Sequence, residues 1–331
     1  MNRFEQFLGN IDHLVDKSIG DEKNEYVHPA LKNLGSVSIV LIREAIAPVV
    51  FRNAEEEITD IDIDGEPYVR AVPNKFKYPE KGRGLQILRA FKVGGRLPQN
   101  KTVLRRNQKQ SEAFDLNALV FGDSAMQETR VLPVKAAVNY SDALSVLPKH
   151  LCVDESFHNR AMEDGTLFDA QDKKNSDNLF TRHFVKPGTL MVQVLSTRGK
   201  VLPRMGLDHL LLSIGVAGAY GGQTSVTGVN IRSHVVGIYG GYFEQAATSP
   251  YEIVKMLAAK KDLAEKNVEG LSTHLHEHLS ELHEISMGTE EAVAYQQGLI
   301  ERFEKDNDGL KADYKEAAEK VAKLFDSWFG K

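Results

Sequence analysis

Glycine is concentrated in one stretch of the chain, at residues 215–228, and this stretch could bind an anion. It lies between an apolar pattern with helical spacing at residues 207–214 and a strand-like run at residues 229–238. Because glycine has no side chain, its backbone N–H groups stay uncovered and can approach a phosphate closely. A tight turn with a purely structural role would use the same residues, so the glycines alone leave both interpretations open.

The charges around the glycine stretch favour phosphate binding. Asp208 is the only acidic residue between residues 181 and 240. The basic residues that flank the glycines are Arg198, Lys200, Arg204 and Arg232. A basic neighbourhood of this kind predicts a polyanionic ligand.

Charge is also separated along the whole chain, whose formal net charge is −5. Residues 70–110 contain twelve Lys and Arg against one Glu, whereas residues 251–331 contain 17 acidic and 11 basic residues. This separation gives the protein basic surface in one place and acidic surface in another. We therefore expect a nucleic-acid partner despite the negative net charge, and head-to-tail attraction between copies of the protein.

The composition predicts a globular protein with a large core. The 331 residues are 42% apolar, but no apolar run approaches the roughly 20 residues that a membrane helix needs. The N-terminal residues lack the apolar stretch of a secretory signal. Cys152 is the only cysteine, which excludes an internal disulfide and fits a reducing compartment. We expect a cytoplasmic protein without a membrane partner.

Hydrophobic periodicity predicts the elements that position the basic residues and the glycines. An N-terminal amphipathic helix is indicated by the spacing of Phe4, Phe7, Leu8, Ile11, Leu14 and Val15. Residues 36–42 and 190–195 are strand candidates, and residues 207–238 should form a helix, a glycine turn and a strand. This order favours an α+β fold with a ferredoxin-like sheet of the kind found in RNA-recognition modules.

Two insertions and a helical region complete the expected organisation. Residues 70–123 are polar, basic and rich in Gly and Pro, which is typical of surface loops or hairpins. Residues 142–177 have the composition of a second, mobile lobe. After Pro250 the sequence predicts three or four helices, broken at Gly270, Gly288 and Gly309.

Several separated motifs resemble the backbone subunit of type I-D CRISPR effector complexes, which belongs to the "Cas seven" family of the repeat-associated mysterious protein superfamily. The motifs lie at residues 120–125, 129–140, 157–169 and 181–188 and in the glycine stretch. The similarity covers roughly residues 30–245 and weakens in the C-terminal helices.

The resemblance implies a ferredoxin-like palm at residues 1–245 with peripheral lobes inserted, and a helical region at residues 250–331. The insertions would be a basic thumb or lid at about residues 70–134 and a lobe at about residues 142–185. Several copies would stack along one CRISPR guide RNA beside other subunits of the complex, and a thumb hairpin from each copy would wedge between guide nucleotides. The guide would pair with target DNA.

A guide has to be held by its backbone, since phosphate contacts provide affinity without sequence preference. The resulting RNA-binding candidates are Arg43, Arg52, Arg105, Arg106, Arg130, Lys135, Arg160, Arg182, Arg198, Lys200, Gly221, Gly222 and Arg232. Gly221 and Gly222 would present backbone donors, and Arg105 and Arg106 would lie in the thumb.

Two further chemistries have to be considered. His150, Cys152, His158 and His183 are the ligand types of a mixed zinc site, and a related backbone subunit carries a zinc-binding lobe, although one cysteine is few for such a site. No cofactor is otherwise required.

Superfamily relatives also include ribonucleases, some of which cut RNA with a loop Asp. Asp123 and Asp164 are loop acids in similar surroundings and could have this role. An acid beside glycine more often belongs to a turn, so we expect a non-catalytic scaffold with RNA cleavage as the alternative.

Overall fold

The computed structural model describes residues 1–14, 34–51, 58–95, 103–159, 168–169, 173–175, 179–222, 228–260 and 267–329. Its strands are β1 (Ser36–Ala45), β2 (Asp60–Ile63), β3 (Glu66–Ala71), β4 (Val103–Leu104), β5 (Asp123–Gln127), β6 (Arg130–Val134), β7 (Val138–Tyr140), β8 (Ala143–Pro148), β9 (Val153–Asn159), β10 (Phe168–Asp169), β11 (Lys174–Asn175), β12 (Leu179–Val185), β13 (Leu190–Thr197), β14 (Ile231–Gly241) and β15 (Ile285–Met287).

The α-helices are α1 (Ile11–Leu14), α2 (Asn74–Ala90), α3 (Leu116–Phe121), α4 (Lys149–Cys152), α5 (Arg204–Gly215), α6 (Pro250–Ala259), α7 (Val268–Ser280), α8 (Thr289–Glu304) and α9 (Asp308–Phe329). Short 3₁₀ helices are found at Asn2–Phe7, Gln110–Glu112, Gly199–Val201 and Ala246–Thr248. Within these described residues, no helix is both long enough and apolar enough to cross a membrane.

One large sheet organises the molecule around β1. Its strands have the order β15-β14-β1-β13-β8-β3-β2, with β7 also paired to β13, and their described pairings are antiparallel. At one end of β1, Ser36 lies opposite Gly241; at the other end, Ala45 lies opposite Ile231. A strand of this length spans about 30 Å, so the two ends are well separated. The expectation of a mixed α and β fold is confirmed, and the pairings described in its large sheet are antiparallel.

Helices cover both faces of this sheet, because β1 is apolar on both sides. Val37, Ile39 and Leu41 pack into a core with residues of α2, α3, α5, α8 and α9. Val40 and Ile42 point the other way and pack with residues of α6 and α7. Alternation of side chains along a strand explains this division. The strands and helix predicted at residues 36–42, 190–195 and 207–214 are confirmed as parts of β1, β13 and α5.

The basic region after residue 70 contains a long helix, α2, where the sequence predicted loops or hairpins. Phe76, Glu80, Gly84, Ile87 and Leu88 are buried and recur at helical spacing. The stripe was not recognised because two of its positions are Glu and Gly. A Cβ on Gly84 would lie 2.2 Å from the Asn117 side-chain oxygen, so the glycine allows α2 to pack closely against α3.

Both ends of the described chain differ from the sequence predictions in detail. The N-terminal segment is a 3₁₀ helix followed by the short α1, and Phe4, Phe7, Leu8 and Ile11 are buried as expected. The described residues from Pro250 onward form four helices, within the predicted three or four, but the predicted breaks at Gly270 and Gly309 are wrong, because these glycines lie inside α7 and α9. Between α7 and α8 the chain also forms β15, which extends the large sheet through its pairing with β14.

A smaller three-stranded sheet stands apart from the large one and has the order β4-β5-β6. It falls within the segment for which the sequence predicted a thumb. Strand β8, by contrast, belongs to the large sheet, although its residues fall within the predicted lobe. The β9–β12 hairpin follows β8 and is the largest described part of that lobe.

Candidate nucleic-acid interface

Arg43 lies in the interior, where it forms an ion pair with Glu80. Its Nη1 is 2.7 Å from the Glu80 carboxylate, and both side chains are fully buried. Arg43 also donates to Gln193 on β13 and to Ser233 on β14, at 3.0 and 2.6 Å. Desolvation opposes the charge on Arg43, but Glu80 and the neighbouring tyrosines outweigh it, so that the pKa of Arg43 is raised. A buried guanidinium cannot contact RNA, so the expectation for Arg43 is corrected: it joins strands to α2.

The glycine turn is attached to this buried pair through Tyr220. The Tyr220 hydroxyl donates to Glu80 at 3.0 Å, and the Tyr220 backbone exchanges two hydrogen bonds of 2.9 Å with the Asn230 side chain. Burial raises the pKa of the Tyr220 hydroxyl strongly, so it remains a proton donor. The sequence therefore placed the turn correctly, but its anchoring depends on residues far away in the chain.

Gly221 and Gly222 have different roles. Gly221 has a φ of +78°, and a Cβ there would lie 2.6 Å from the Val50 carbonyl oxygen. The Gly222 N–H donates to the same oxygen at 2.7 Å. This N–H is therefore used within the protein, and the expectation that it is a donor to phosphate is corrected. Gly222 can therefore offer RNA only an accessible backbone that no side chain covers.

Arg232 and Arg182 lie toward the same end of β1 as the glycine turn. Arg232 is exposed and 3.5 Å from Glu44, which also accepts a 2.8 Å hydrogen bond from the His234 ring. Arg182 is half-buried on β12, opposite Ser156 of β9. This end of the sheet thus combines cations with carboxylates, among them Glu44 and Glu155.

Arg198 and Lys200 lie at the opposite end of β1. Lys200 lies over the ring of Tyr242, with its Nζ 5.9 Å from the ring centroid, and its side chain also packs near Gly35. The backbone N–H of Arg198 donates to Ala137. The exposed or half-buried RNA-binding candidates near the large sheet are therefore divided between two ends of β1 about 30 Å apart.

The β4-β5-β6 sheet and the residues directly after β4 and β6 carry four more of the predicted cations. Arg105, Arg106, Arg130 and Lys135 are all exposed. The backbone after β4 is fixed by the Gln127 amide, which donates to the carbonyl oxygens of Arg105, Arg106 and Gln108. The arginine side chains are thus carried by an ordered turn.

An apolar row, which the sequence analysis did not detect, crosses the outer face of this sheet. Val103, Met126 and Val131 lie opposite one another on β4, β5 and β6 and are 65%, 44% and 58% exposed. Arg130 directly precedes Val131, and Arg105 follows Val103 by two residues. The row could have been predicted from the sequence, because its apolar residues stand next to Leu104, Ala125 and Leu132, which are buried on the other side of the same strands.

Helix α2 carries basic residues that the sequence analysis counted but did not assign to a site. They are Lys75, Lys77, Lys81, Arg83 and Arg89. Lys81 donates to the Gly122 carbonyl at 2.7 Å and lies 3.6 Å from Asp123, which connects α2 to the base of the small sheet. Burial and the charge of Lys81 lower the pKa of Lys77.

The predicted zinc ligands are only partly described. Cys152 is buried, with its Sγ 3.4 Å from the Leu147 carbonyl oxygen, and burial raises the pKa of its thiol. His150 is exposed, and His183 lies 3.5 Å from Glu155. Among the described side chains, no three His, Cys, Asp or Glu residues lie close enough to hold a metal ion. The side chain of His158 lies outside the described residues, so zinc binding stays a prediction.

Arg52, Arg160 and Asp164 also lie outside the described residues. Asp123, the other acid considered for catalysis, contacts the neighbouring backbone and a lysine. Its Oδ1 accepts the Ser124 N–H at 2.8 Å, and its carboxylate is 3.6 Å from Lys81. These contacts are typical of a turn residue at the start of a strand.

Comparison with known proteins places these observations in a family. Residues 69–323 match the family described as Csc2 Crispr. The fold is similar to the crystal structure of Thermofilum pendens Csc2, with a TM-score of 0.63 and 16% identity over 99% of this chain and 95% of that chain. No curated protein matches.

Two other solved structures give weaker similarity. A chain of a CRISPR RNA-guided surveillance complex has a TM-score of 0.44 and 11% identity, covering 75% of this chain and 87% of that one. A chain of such a complex described as pre-nicking has a TM-score of 0.41 and 13% identity, covering 63% and 77%. The family match extends over most of the sequence, and the chain belongs to the Csc2 CRISPR family.

Proposed function

We propose that this protein is a guide-RNA-binding backbone subunit of a type I-D CRISPR surveillance complex. Several copies would hold one guide by its phosphates, alongside the other subunits, and present its bases for pairing with target DNA. Membership of the Csc2 CRISPR family supports the general role. The type I-D assignment rests on the resemblance of the motifs described above.

The observation that carries the RNA-binding proposal is the outer face of the β4-β5-β6 sheet. There the row of Val103, Met126 and Val131 is exposed, and the exposed residues Arg105 and Arg130 lie within two residues of it in the chain. Arginines neutralise phosphates, while exposed apolar side chains can pack against unstacked bases. An element that offers both is suited to wedge between nucleotides of a single strand without reading their sequence.

The order of the central strands supports a ferredoxin-like palm. Strands β14, β1, β13 and β8 are neighbours in the sheet, and α2 and α5 share the core on one of its faces. In this arrangement the β4-β5-β6 sheet would be the thumb, and the β9–β12 hairpin would be the peripheral lobe. No cofactor is needed for this role.

We further propose that the protein does not cleave RNA. The contacts of Asp123 with Lys81 and with the Ser124 N–H support a structural role for this acid. The test is incubation of the purified protein with guide or target RNA and Mg²⁺ or Mn²⁺. Intact RNA is expected, whereas products cut at regular intervals that disappear in Asp123→Asn would contradict the proposal.

RNA binding itself is tested by titrating single-stranded RNAs of unrelated sequence at several salt concentrations. We expect similar affinities and a linear decrease of log K with log salt, at about −0.7 per phosphate contact. Mass measurements on RNAs of increasing length should show additional copies added in steps. Affinity independent of salt, or binding of only one sequence, would overturn the proposal. Co-expression with neighbouring genes should recover RNA of uniform length.

A further inference from the structure

Helix α2 presents an outward face that has no acidic side chain of its own. Glu80 is the helix's only acid, and it is fully buried against Arg43. The helix carries five Lys and Arg residues, and these lie on both sides of its exposed surface. In addition, Lys77 and Lys81 are four residues apart and therefore neighbours on the helix surface, where the Asp123 carboxylate lies 3.6 Å from Lys81 and offsets part of this charge. The exposed surface of α2 thus attracts anions.

Gly82 stands in the middle of this outward face, and packing does not explain it. It is exposed, and a Cβ there would meet nothing within 4 Å. Gly84, two residues further on, is different because a side chain would collide with Asn117 and His209. A helix with glycine at an interior position is less stable than the same helix with alanine there. The packing of α2 therefore does not require Gly82, and a partner that approaches the helix closely would explain it.

The neighbours of Gly82 indicate what this partner is. Residues three and four apart share one side of a helix, so Tyr78, Gly82, Gln86 and Arg89 form an outward row, which Lys75 extends. Tyr78 is 66% exposed. An aromatic ring, a neutral gap and cations on either side suit a nucleic-acid strand, which offers a flat base and a charged backbone. The helix is about 25 Å long, which allows it to follow several phosphates.

We propose that the outward face of α2 binds the sugar-phosphate backbone of a nucleic-acid strand, and that Gly82 is the point where the strand comes closest to the helix. This inference deepens the proposed function and rests on it. It adds a binding surface outside the glycine turn and the small sheet. Because guide RNA and target DNA share this backbone chemistry, the strand is identified by experiment.

The experiment compares Gly82→Gln with the matched control Gly298→Gln. Gly298 also lies in the interior of a helix, α8, and a Cβ there also meets nothing within 4 Å. Gln favours helix more than Gly does, so both variants should melt at a higher temperature than the parent. Only Gly82→Gln should weaken nucleic-acid binding, by at least fivefold, because its side chain fills the gap. Gly82→Ala should show a smaller loss in the same direction.

Each variant is titrated with single-stranded RNA and with single-stranded DNA of the same sequence. A loss limited to RNA identifies the guide strand, and a loss limited to DNA identifies the target strand. If the parent itself binds neither, the proposed function is wrong. If the parent binds and Gly82→Gln binds equally well, the α2 site is wrong while the proposed function stands. Self-association that is lost in Gly82→Gln, with nucleic-acid affinity unchanged, would instead identify α2 as a protein interface and also overturn the inference.

Discussion

The guanidinium of Arg43 lies 2.7 Å from the carboxylate of Glu80, and neither side chain reaches solvent. Arg43 belongs to the central strand and Glu80 to the helix that packs on it. The Glu80 carboxylate also accepts hydrogen bonds from the hydroxyls of Tyr140 and Tyr220, at 2.6 and 3.0 Å. Sheet, basic helix and glycine turn are therefore joined at one buried charge pair.

Replacing Glu80 by Gln should destabilise the protein strongly. The charge of Arg43 would remain buried without a counter-charge, which typically costs about 3–5 kcal/mol. Urea unfolding measures the effect. The double variant Arg43→Met with Glu80→Leu is the control, because it removes both charges. Its loss of unfolding free energy should be smaller than the sum of the losses in Arg43→Met alone and Glu80→Leu alone. Additive losses would show that the two residues act independently.

Adding a methyl group should separate the roles of the two turn glycines. Gly221→Ala should lower the free energy of unfolding by about 1–3 kcal/mol, because a positive φ strains alanine and the Cβ meets the Val50 oxygen. Gly222→Ala should be within about 0.5 kcal/mol of the parent, since its Cβ would lie 3.6 Å from that oxygen. Equal stabilities of the two variants would contradict this assignment.

The larger substitution Gly222→Val tests whether RNA approaches the turn. We expect the variant to fold, as judged by circular dichroism, and to bind single-stranded RNA at least tenfold more weakly, which corresponds to about 1.4 kcal/mol. Steric exclusion is the reason, since the Gly222 N–H is already bonded to Val50. If folded Gly222→Val keeps the parent's RNA affinity, the turn is structural and RNA binding depends on the arginines.

Local patterns were sufficient to predict β1, β13 and α5, because their apolar residues recur at the spacing of a single element. Helix α2 was missed because Glu80 and Gly84 occupy core positions, and only the contacts with Arg43 and Asn117 explain them. The same limit applies to Arg43 itself. A sequence shows that an arginine follows an apolar run, but the partner that makes its burial tolerable lies 37 residues away in the chain.

Acid should destabilise the protein through His209. Burial lowers the pKa of His209 to about 3. Its Nε2 donates to the Asn117 side chain and its Nδ1 accepts from the Tyr314 hydroxyl, each at 3.0 Å, so the ring is neutral in the folded state. The unfolded chain takes up a proton below about pH 6.5, which stabilises the unfolded state as the pH falls.

The expected loss between pH 7 and pH 5 is about 2 kcal/mol of unfolding free energy. Comparison with His209→Gln isolates this contribution, because the other titrating groups are common to both proteins. The parent should lose stability more steeply than the variant as the pH is lowered. Parallel pH profiles would show that His209 does not carry this dependence.

The arginines of the small sheet should contribute to RNA binding and not to folding. Arg105 and Arg106 are exposed, and exposed charges contribute only about 0–1 kcal/mol to stability. The double variant Arg105→Ala with Arg106→Ala should therefore unfold at nearly the same urea concentration as the parent. Its RNA affinity should fall, and the slope of log K against log salt should become less steep by about 1.4, since two phosphate contacts are removed.

The control for this variant removes two positive charges elsewhere. Lys315 and Lys323 are exposed on α9, in the acidic C-terminal region. Replacing both by alanine changes the net charge equally but removes no contact from the small sheet, so the salt slope should stay that of the parent. A similar loss in both double variants would mean that RNA responds to net charge alone. A loss confined to the Arg105 and Arg106 variant would locate the phosphate contacts beside the row of Val103, Met126 and Val131.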